Sequence, residues 1–378
     1  MTDLLRQEVA ASADTIVVKV GTRVLTCDNG MLDVERIARL AEEVSTLIEA
    51  GRKVVLVSSG AVSAGMSRLG IGERPRDVTK LQAVAAVGQT NLIEAYDRTF
   101  RKHGRHAAQV LLTAEDLDDR TRYLNVRNTL LALLEFGAVP VINENDTVAV
   151  DELVATFGDN DRLAALVTNL IRAPLLIILS DVDGLYDGDP IDANSKLIST
   201  VSQLDEATLA HVRDKATGIS KGGMASKLEA ARIATSAGEN VIIASGREDR
   251  ALERIVAGES IGTLIIAQGK TLSPWKRWIG FSAQPRGELV LDAGACRAIV
   301  DQGKSLLAIG IAAVKGEFNK GDVVSLIDCD RNQIARGLCN YATEELEKIK
   351  GLKSNQIADI LGHLPYREVI HRDNLLVG

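Results

Sequence analysis

The chain has 378 residues, with 44 Lys+Arg against 51 Asp+Glu for a net charge of −7, 46% hydrophobic and 25% charged residues. At roughly 150 residues per domain this is about two domains with enough apolar material for a sizeable core. The balance disfavours disordered, collagen-like and disulfide-rich secreted classes, and the acidic excess disfavours a general binder of nucleic acid.

The N-terminus, MTDLLRQEVAASADTIVVKV, carries acidic residues early. No run reaches the roughly 18 apolar residues of a membrane span, so neither a signal peptide nor a membrane helix is expected. Short β-branched runs then alternate with Ala/Leu/Glu-rich stretches. The runs, at 15–20, 53–57, 109–112, 139–142, 175–179 and 241–244, predict strands, several of them apolar on both faces as in a sheet covered on two sides. Helical patterns lie between them at 34–50, 81–102, 122–136, 161–171 and 223–237. Gly51, Gly137 and Gly238 follow three of these patterns, where a left-handed helix cap is expected. The alternation predicts a three-layer αβα sandwich with a mostly parallel sheet. The texture changes near residue 270: SPWKRWIGFSAQPRG (273–287) is followed by shorter segments with frequent Gly, which predict a small β-rich module with its boundary near 280. The expected organisation is 1–275, a linker at 276–285, and 286–378.

Ligands of open α/β sheets bind beyond the carboxyl ends of the strands, often at glycine turns leading into helices. Three such turns occur: Lys19-Val20-Gly21-Thr22, Ser58-Ser59-Gly60-Ala61, and SKGGMASK at 220–227. Each alone reads as a structural turn; together, two of them with lysine, they point to phosphate. The segment GAVSAGMS at 60–67 fits GxxxxGK[ST] except for Met66 in the lysine position, and no GxGxxG occurs, so a phosphate binder of another type is expected. Polar clusters follow the apolar runs at Asn143-Glu144-Asn145-Asp146 and Ser180-Asp181, and Gly158-Asp159-Asn160-Asp161 precedes a helical pattern, where Asp159 or Asn160 also suits a helix cap. The five histidines lack HExxH spacing and no GxSxG occurs, so zinc and serine-histidine hydrolysis are unsupported. Cys27, Cys296, Cys329 and Cys339 form no CxxC pair and read as reduced thiols of a cytoplasmic protein.

The segments KVGTRVLT, VSSGAVSAGMSRLG, VINENDTVAV, FGDNDRLAALV, LSDVDGLYDGDP and KGGMASK stand in the order seen in glutamate 5-kinases of the amino acid kinase superfamily, which the chain resembles from about residue 14 to its end. The tail resembles the PUA module that many of those enzymes carry. The resemblance implies transfer of a phosphoryl group from ATP, with Mg²⁺, to the side-chain carboxylate of L-glutamate as the first step of proline synthesis. It implies Lys19 and Lys227 as the cations at the transferring group, and Asp161 as the acid that orients them. It places Ser59, Asp146 and Asn160 at glutamate, with Asp146 accepting from the ammonium and Ser59 and Asn160 donating to carboxylates. Lys19, Ser180, Asp181, Lys221, Gly222, Gly223, Met224, Ala225, Ser226 and Lys227 fall at ATP, and no residue is assigned as a metal ligand. Lys221, Thr156 and Arg23 depart from common family residues. A side-chain carboxylate of pKa about 4.3 is ionised at neutral pH, so such a kinase needs cations rather than a general base. Proline as feedback inhibitor, glutamyl phosphate reductase as a partner, and homo-oligomers are further expectations. An RNA-binding role for residues 286–378 is the competing reading. It is disfavoured by twelve basic against thirteen acidic residues there, a net of −1 without a basic stripe.

Overall fold

A computed structural model describes residues 3–27, 29–149, 159–190, 192, 194–204, 223–268, 272–362 and 366–378. The chain divides into two compact units, one of Met1–Asp116 with Thr121–Thr271, the other of Leu117–Arg120 with Leu272–Gly378.

The first unit opens with helix α1 (Leu4–Ser12) and strand β1 (Thr15–Val20), followed by α2 (Val34–Glu49), β2 (Lys53–Ser58), α3 (Ala61–Leu69) and α4 (Val78–Phe100). Then come β3 (Ala107–Leu112), α5 (Ala114–Asp118), α6 (Arg120–Glu135), β4 (Val139–Glu144), α7 (Asp159–Ile171) and β5 (Leu175–Ser180). β6 (Thr200–Val201), α8 (Gly223–Ser236), β7 (Asn240–Ser245), α9 (Ala251–Val256) and β8 (Thr263–Ile265) complete it. Asp33 and Asp77 start α2 and α4 by accepting from the Arg36 and Lys80 amides at 2.8 and 2.9 Å, the capping that frees a helix start from its orphan donors.

The strands form one sheet in the order β3-β4-β2-β1-β5-β7-β8-β6, parallel throughout except between β7 and β8. All six predicted runs are strands here. On one face Ile16, Val18 and Val20 join a core with Ile37 and Leu40 of α2 and Leu92 and Tyr96 of α4. Alternation turns Val17 and Lys19 to the other face, where α7 packs on β1 and β5 and against α8. This is an αβα sandwich. Because β2 lies on one side of β1 and β5 on the other, the strand order reverses at β1, and a crevice opens at the carboxyl ends there.

The predicted caps hold: Gly51, Gly137 and Gly238 have φ of +87°, +73° and +101°. The near-fit of 60–67 to a phosphate loop, already set aside for Met66, comes from packing. Its second glycine, Gly65, lies inside α3, and a Cβ there would stand 1.8 Å from the Val84 carbonyl oxygen; at Gly88 of α4 it would stand 1.8 Å from that of Ala61. These two glycines let α3 and α4 pack backbone to backbone, a steric demand that imitates the motif. The edge strand β6, its neighbour β8 and the helices α1, α3, α5 and α9 were not anticipated. α1 is fixed by Arg6, which is 1% exposed and donates to the Ser199, Ile261 and Gly262 carbonyls at 2.6, 2.6 and 2.9 Å.

In the second unit α10 (Pro274–Arg277) precedes β9 (Gly287–Leu291), α11 (Ala293–Val300), β10 (Ile311–Gly316), β11 (Val323–Ile327) and β12 (Gln333–Leu338). α12 (Thr343–Ile349), α13 (Ile357–Leu361) and β13 (Leu375–Val377) follow. The five strands form a second sheet, β10-β9-β11-β12-β13, in which β9 and β11 run parallel and the other neighbours antiparallel. Its own core includes Leu289, Val324, Leu326 and Tyr341. The stretch GACRAIV, expected among strands and turns, is helical in α11 because Asp292 caps it, accepting from the Ala295 amide at 2.7 Å. All four cysteines are free thiols, and no helix among the described residues is long and apolar enough to cross a membrane.

Candidate active site

Five carboxyl-end or helix-start positions converge around β1. Lys19 comes from the penultimate residue of β1. Its ammonium meets Asp161 Oδ1 at 2.6 Å, with side-chain exposures of 7% and 2%. Asp161 stands in the first turn of α7. Its other oxygen takes the Ser226 hydroxyl at 2.8 Å and lies 3.4 Å from the Lys227 ammonium. Lys227 is one turn into α8 and also donates to the Gly223 carbonyl at 2.9 Å. Two buried ammonium groups thus share one carboxylate, a local excess of one positive charge. Burial alone would raise the Asp161 pKa, but the charges of Lys19 and Lys227 and the lysine and serine hydrogen bonds outweigh it and hold the carboxyl below its ordinary value. Burial draws Lys227 below an ordinary lysine, opposed by Asp161 and reinforced by the repulsion of Lys19. Such a cluster attracts an anion and keeps its cations fixed while it waits.

The second cluster is a row of amides and a hydroxyl. Asn160 Nδ2 donates to Ser59 Oγ at 3.1 Å and to Asn143 Oδ1 at 3.0 Å, and Asn143 Nδ2 donates to Gln89 Oε1 at 2.9 Å. Ser59 follows β2, where its amide donates to the Val20 carbonyl at 3.1 Å. Gly60 then takes φ +104°, a left-handed turn that an L side chain resists. Asp146 lies in the turn after β4. It is 9% exposed, and burial pushes its carboxyl up to about 6 against a smaller opposing pull from Arg74. A buried acid on the edge of ionising suits a cationic visitor.

At the end of β5, Ser180 donates to Asp181 Oδ1 at 3.0 Å, and Arg23 donates to Asp181 Oδ2 at 2.8 Å. Burial raises Asp181, but the Arg23 hydrogen bond, with help from Ser180, brings its pKa below the ordinary value.

The structure therefore brings together Lys19, Asp161, Ser226 and Lys227 as one cluster, and Ser59 with Asn160 as another. Asp146 makes no direct hydrogen bond to either among the described residues. Gly223, Met224 and Ala225 open α8. Lys221, Gly222 and Thr156 lie outside the described residues. Sequence reading missed Gln89 altogether. Its signal was a lone amide on the apolar stripe of α4, between Ala85 and Leu92. Asn143 stood in a cluster singled out for its polarity but was not assigned to the site, and Arg23 was noted only as a departure.

Residues 14–245 match the model of the amino acid kinase family and residues 287–361 that of the PUA domain. A glutamate 5-kinase of Rhodopirellula baltica is 50% identical over 373 residues, 99% of this chain and 96% of that protein. One from Thermoanaerobacter sp. is 47% identical over 363 residues, 96% of this chain and 97% of that protein. Among solved structures, a UMP kinase from Bacillus anthracis aligns with a TM-score of 0.45 and 15% identity, covering 68% of this chain and 97% of that one.

Proposed function

Since the chain belongs to the amino acid kinase family, among the glutamate 5-kinases that carry a PUA domain, we propose that it transfers the γ-phosphoryl group of ATP to the side-chain carboxylate of L-glutamate, giving ADP and L-glutamyl 5-phosphate. The observation that carries this is the Lys19–Asp161–Lys227 cluster. The acceptor carboxylate is already ionised at neutral pH, so the obstacle is its repulsion by the ATP phosphates. Two buried ammonium groups held at fixed positions offset that repulsion and stabilise the charge that develops on the β-phosphate. Asp161 keeps both cations aimed, and the Ser226 hydroxyl holds Asp161.

On this reading Ser59 donates its hydroxyl to a substrate carboxylate and Asp146 accepts from the substrate ammonium. Asn160 has both side-chain N–H groups taken by Ser59 and Asn143. It therefore contributes an oxygen to recognition, rather than the donor expected from the family pattern. Ser180, Asp181 and residues 223–227 line the nucleotide end. Mg²⁺ is expected with ATP, where it neutralises the β- and γ-phosphates; such an ion is usually held by phosphates, water and one or two carboxylates rather than by a protein cage. Among the described residues no group of three or more His, Cys, Asp or Glu is placed to hold a metal ion. We further assign the reaction to the first step of proline synthesis in the cytoplasm, with proline as feedback inhibitor, glutamyl phosphate reductase acting next, and a homo-oligomeric enzyme.

The test is ADP release over a panel of amino acids, with and without Mg²⁺ and proline. Glutamate-dependent turnover that needs Mg²⁺ is expected. Turnover of aspartate or N-acetylglutamate but not glutamate refutes the substrate assignment.

A further inference from the structure

Gln89 lies on the buried stripe of α4 with Leu81, Val84, Ala85, Gly88 and Leu92. A primary amide on such a face needs partners. Gln89 has one: its Oε1 accepts from Asn143, while its buried Nε2 has no hydrogen-bond partner among the described residues. An amide retained for stability would use both ends. This one uses only its acceptor, and that acceptor begins a directed row. Each amide in the row donates from one end and accepts at the other. With Asn143 Nδ2 committed to Gln89, Asn143 Oδ1 faces Asn160. Asn160 then donates to Asn143 and Ser59, and the Ser59 oxygen accepts, leaving its own proton to be donated elsewhere.

We propose that Gln89 is a positioning residue for the amino-acid substrate: by accepting from Asn143 it sets the amide direction of Asn160, so that Asn160 offers an oxygen and Ser59 a proton to the substrate. The inference rests on the amino-acid site proposed above. In the reverse direction Asn160 would turn N–H groups toward a substrate ammonium, and the Ser59 proton would be drawn back into the row. Gly88, the preceding residue of α4, fixes the height of Gln89, because it touches α3 backbone to backbone.

The experiment measures steady-state kinetics for Gln89→Met and Gln89→Glu, each alone and combined with Asn160→Ala. Losing the acceptor leaves a buried N–H of Asn143 unmatched, so Gln89→Met is expected to raise the glutamate KM about tenfold. The ATP KM and the kcat at saturating glutamate stay within about twofold. Gln89→Glu, which keeps an oxygen acceptor, returns the glutamate KM to within about threefold of the unsubstituted protein. In the Asn160→Ala background Gln89→Met adds nothing further, because the two act in one row. An unchanged glutamate KM, or an equal rise in both backgrounds, overturns the proposal. Should Gln89→Met fail to give a cooperative thermal melt, Gln89→Leu is read in its place, with the same tenfold rise expected and an unchanged glutamate KM overturning the row. An unsubstituted protein that does not turn over glutamate refutes the substrate assignment instead. The row is then read on whichever amino acid the panel identifies.

Discussion

Asp161→Asn removes one charge and almost no volume, and it strands two cations. Lys19 and Lys227 have side-chain exposures of 7% and 11%, at 2.6 and 3.4 Å from the carboxylate. Removing one partner of a buried pair typically costs about 3–5 kcal/mol. Lys227 already sits below the ordinary lysine pKa and can shed its proton to relieve part of the strain, which places the expected loss near the lower end, about 3 kcal/mol at pH 7. The sign of the pH dependence follows. In the variant Lys227 is depressed further below the unfolded value, so the unfolded chain binds more protons and stability rises with pH. The deficit therefore shrinks as pH climbs toward 10. For catalysis, losing the aim of the cations compares with losing a preorganised oxyanion donor, about 10²–10³ in kcat. Urea denaturation at pH 7 and 9.5, with ADP release at saturating substrates, measures both. A stability loss under about 1 kcal/mol together with a kcat within threefold of the unsubstituted protein would refute the claim that one carboxylate holds the two cations.

Asp146 titrates near 6 in the folded protein, above its unfolded value of 3.8. The folded protein thus keeps a proton that the unfolded chain has lost, and this group's contribution to stability falls as pH rises from about 4 to about 6 and is level above that. Its charged form is the one that accepts an ammonium, so the glutamate KM should rise as pH drops through 6, and Asp146→Asn should raise KM and flatten that dependence; a KM constant between pH 7.5 and 5.5 argues against the role. Gly88→Ala sets a Cβ 1.8 Å from the Ala61 carbonyl oxygen, so α3 must retreat by more than an ångström. Chemical denaturation should show a loss of about 1–3 kcal/mol or more, accompanied by a higher glutamate KM. Arg6→Met leaves three carbonyls without their donor, and hydrogen bonds to a charged group are worth about 1.5–3 kcal/mol each. We expect a marked drop in melting temperature with kcat and both KM values unchanged, and altered kinetics would show that α1 bears on the site.

The buried strands were legible because each is a short β-branched run bounded by turn residues, and β1, β2, β4 and β5 end in the polar or glycine residues that a ligand edge requires. Lys19, Ser59, Asp161 and Lys227 could be named for the same reason: they sit at strand ends or in the first turns of helices that follow apolar segments, a local signal. What stayed hidden depends on contacts distant in sequence. Gln89 meets Asn143 across 54 positions, and Arg6 meets Ile261 across 255. Neither leaves a trace in periodicity, because an amide or guanidinium on an apolar stripe looks the same whether it is matched or merely tolerated. Gly65 is ambiguous for a related reason. Glycine in a helix permits close backbone approach, and the sequence cannot say whether what approaches is a phosphate or another helix. Sequence alone thus determined the alternation of strand and helix and the kinds of residue at the sheet edge. The tertiary structure decided that one buried carboxylate holds both lysines, and that a row of amides gives Asn160 its direction, because ion pairing and hydrogen-bond polarity exist only once the partners are within about 3 Å.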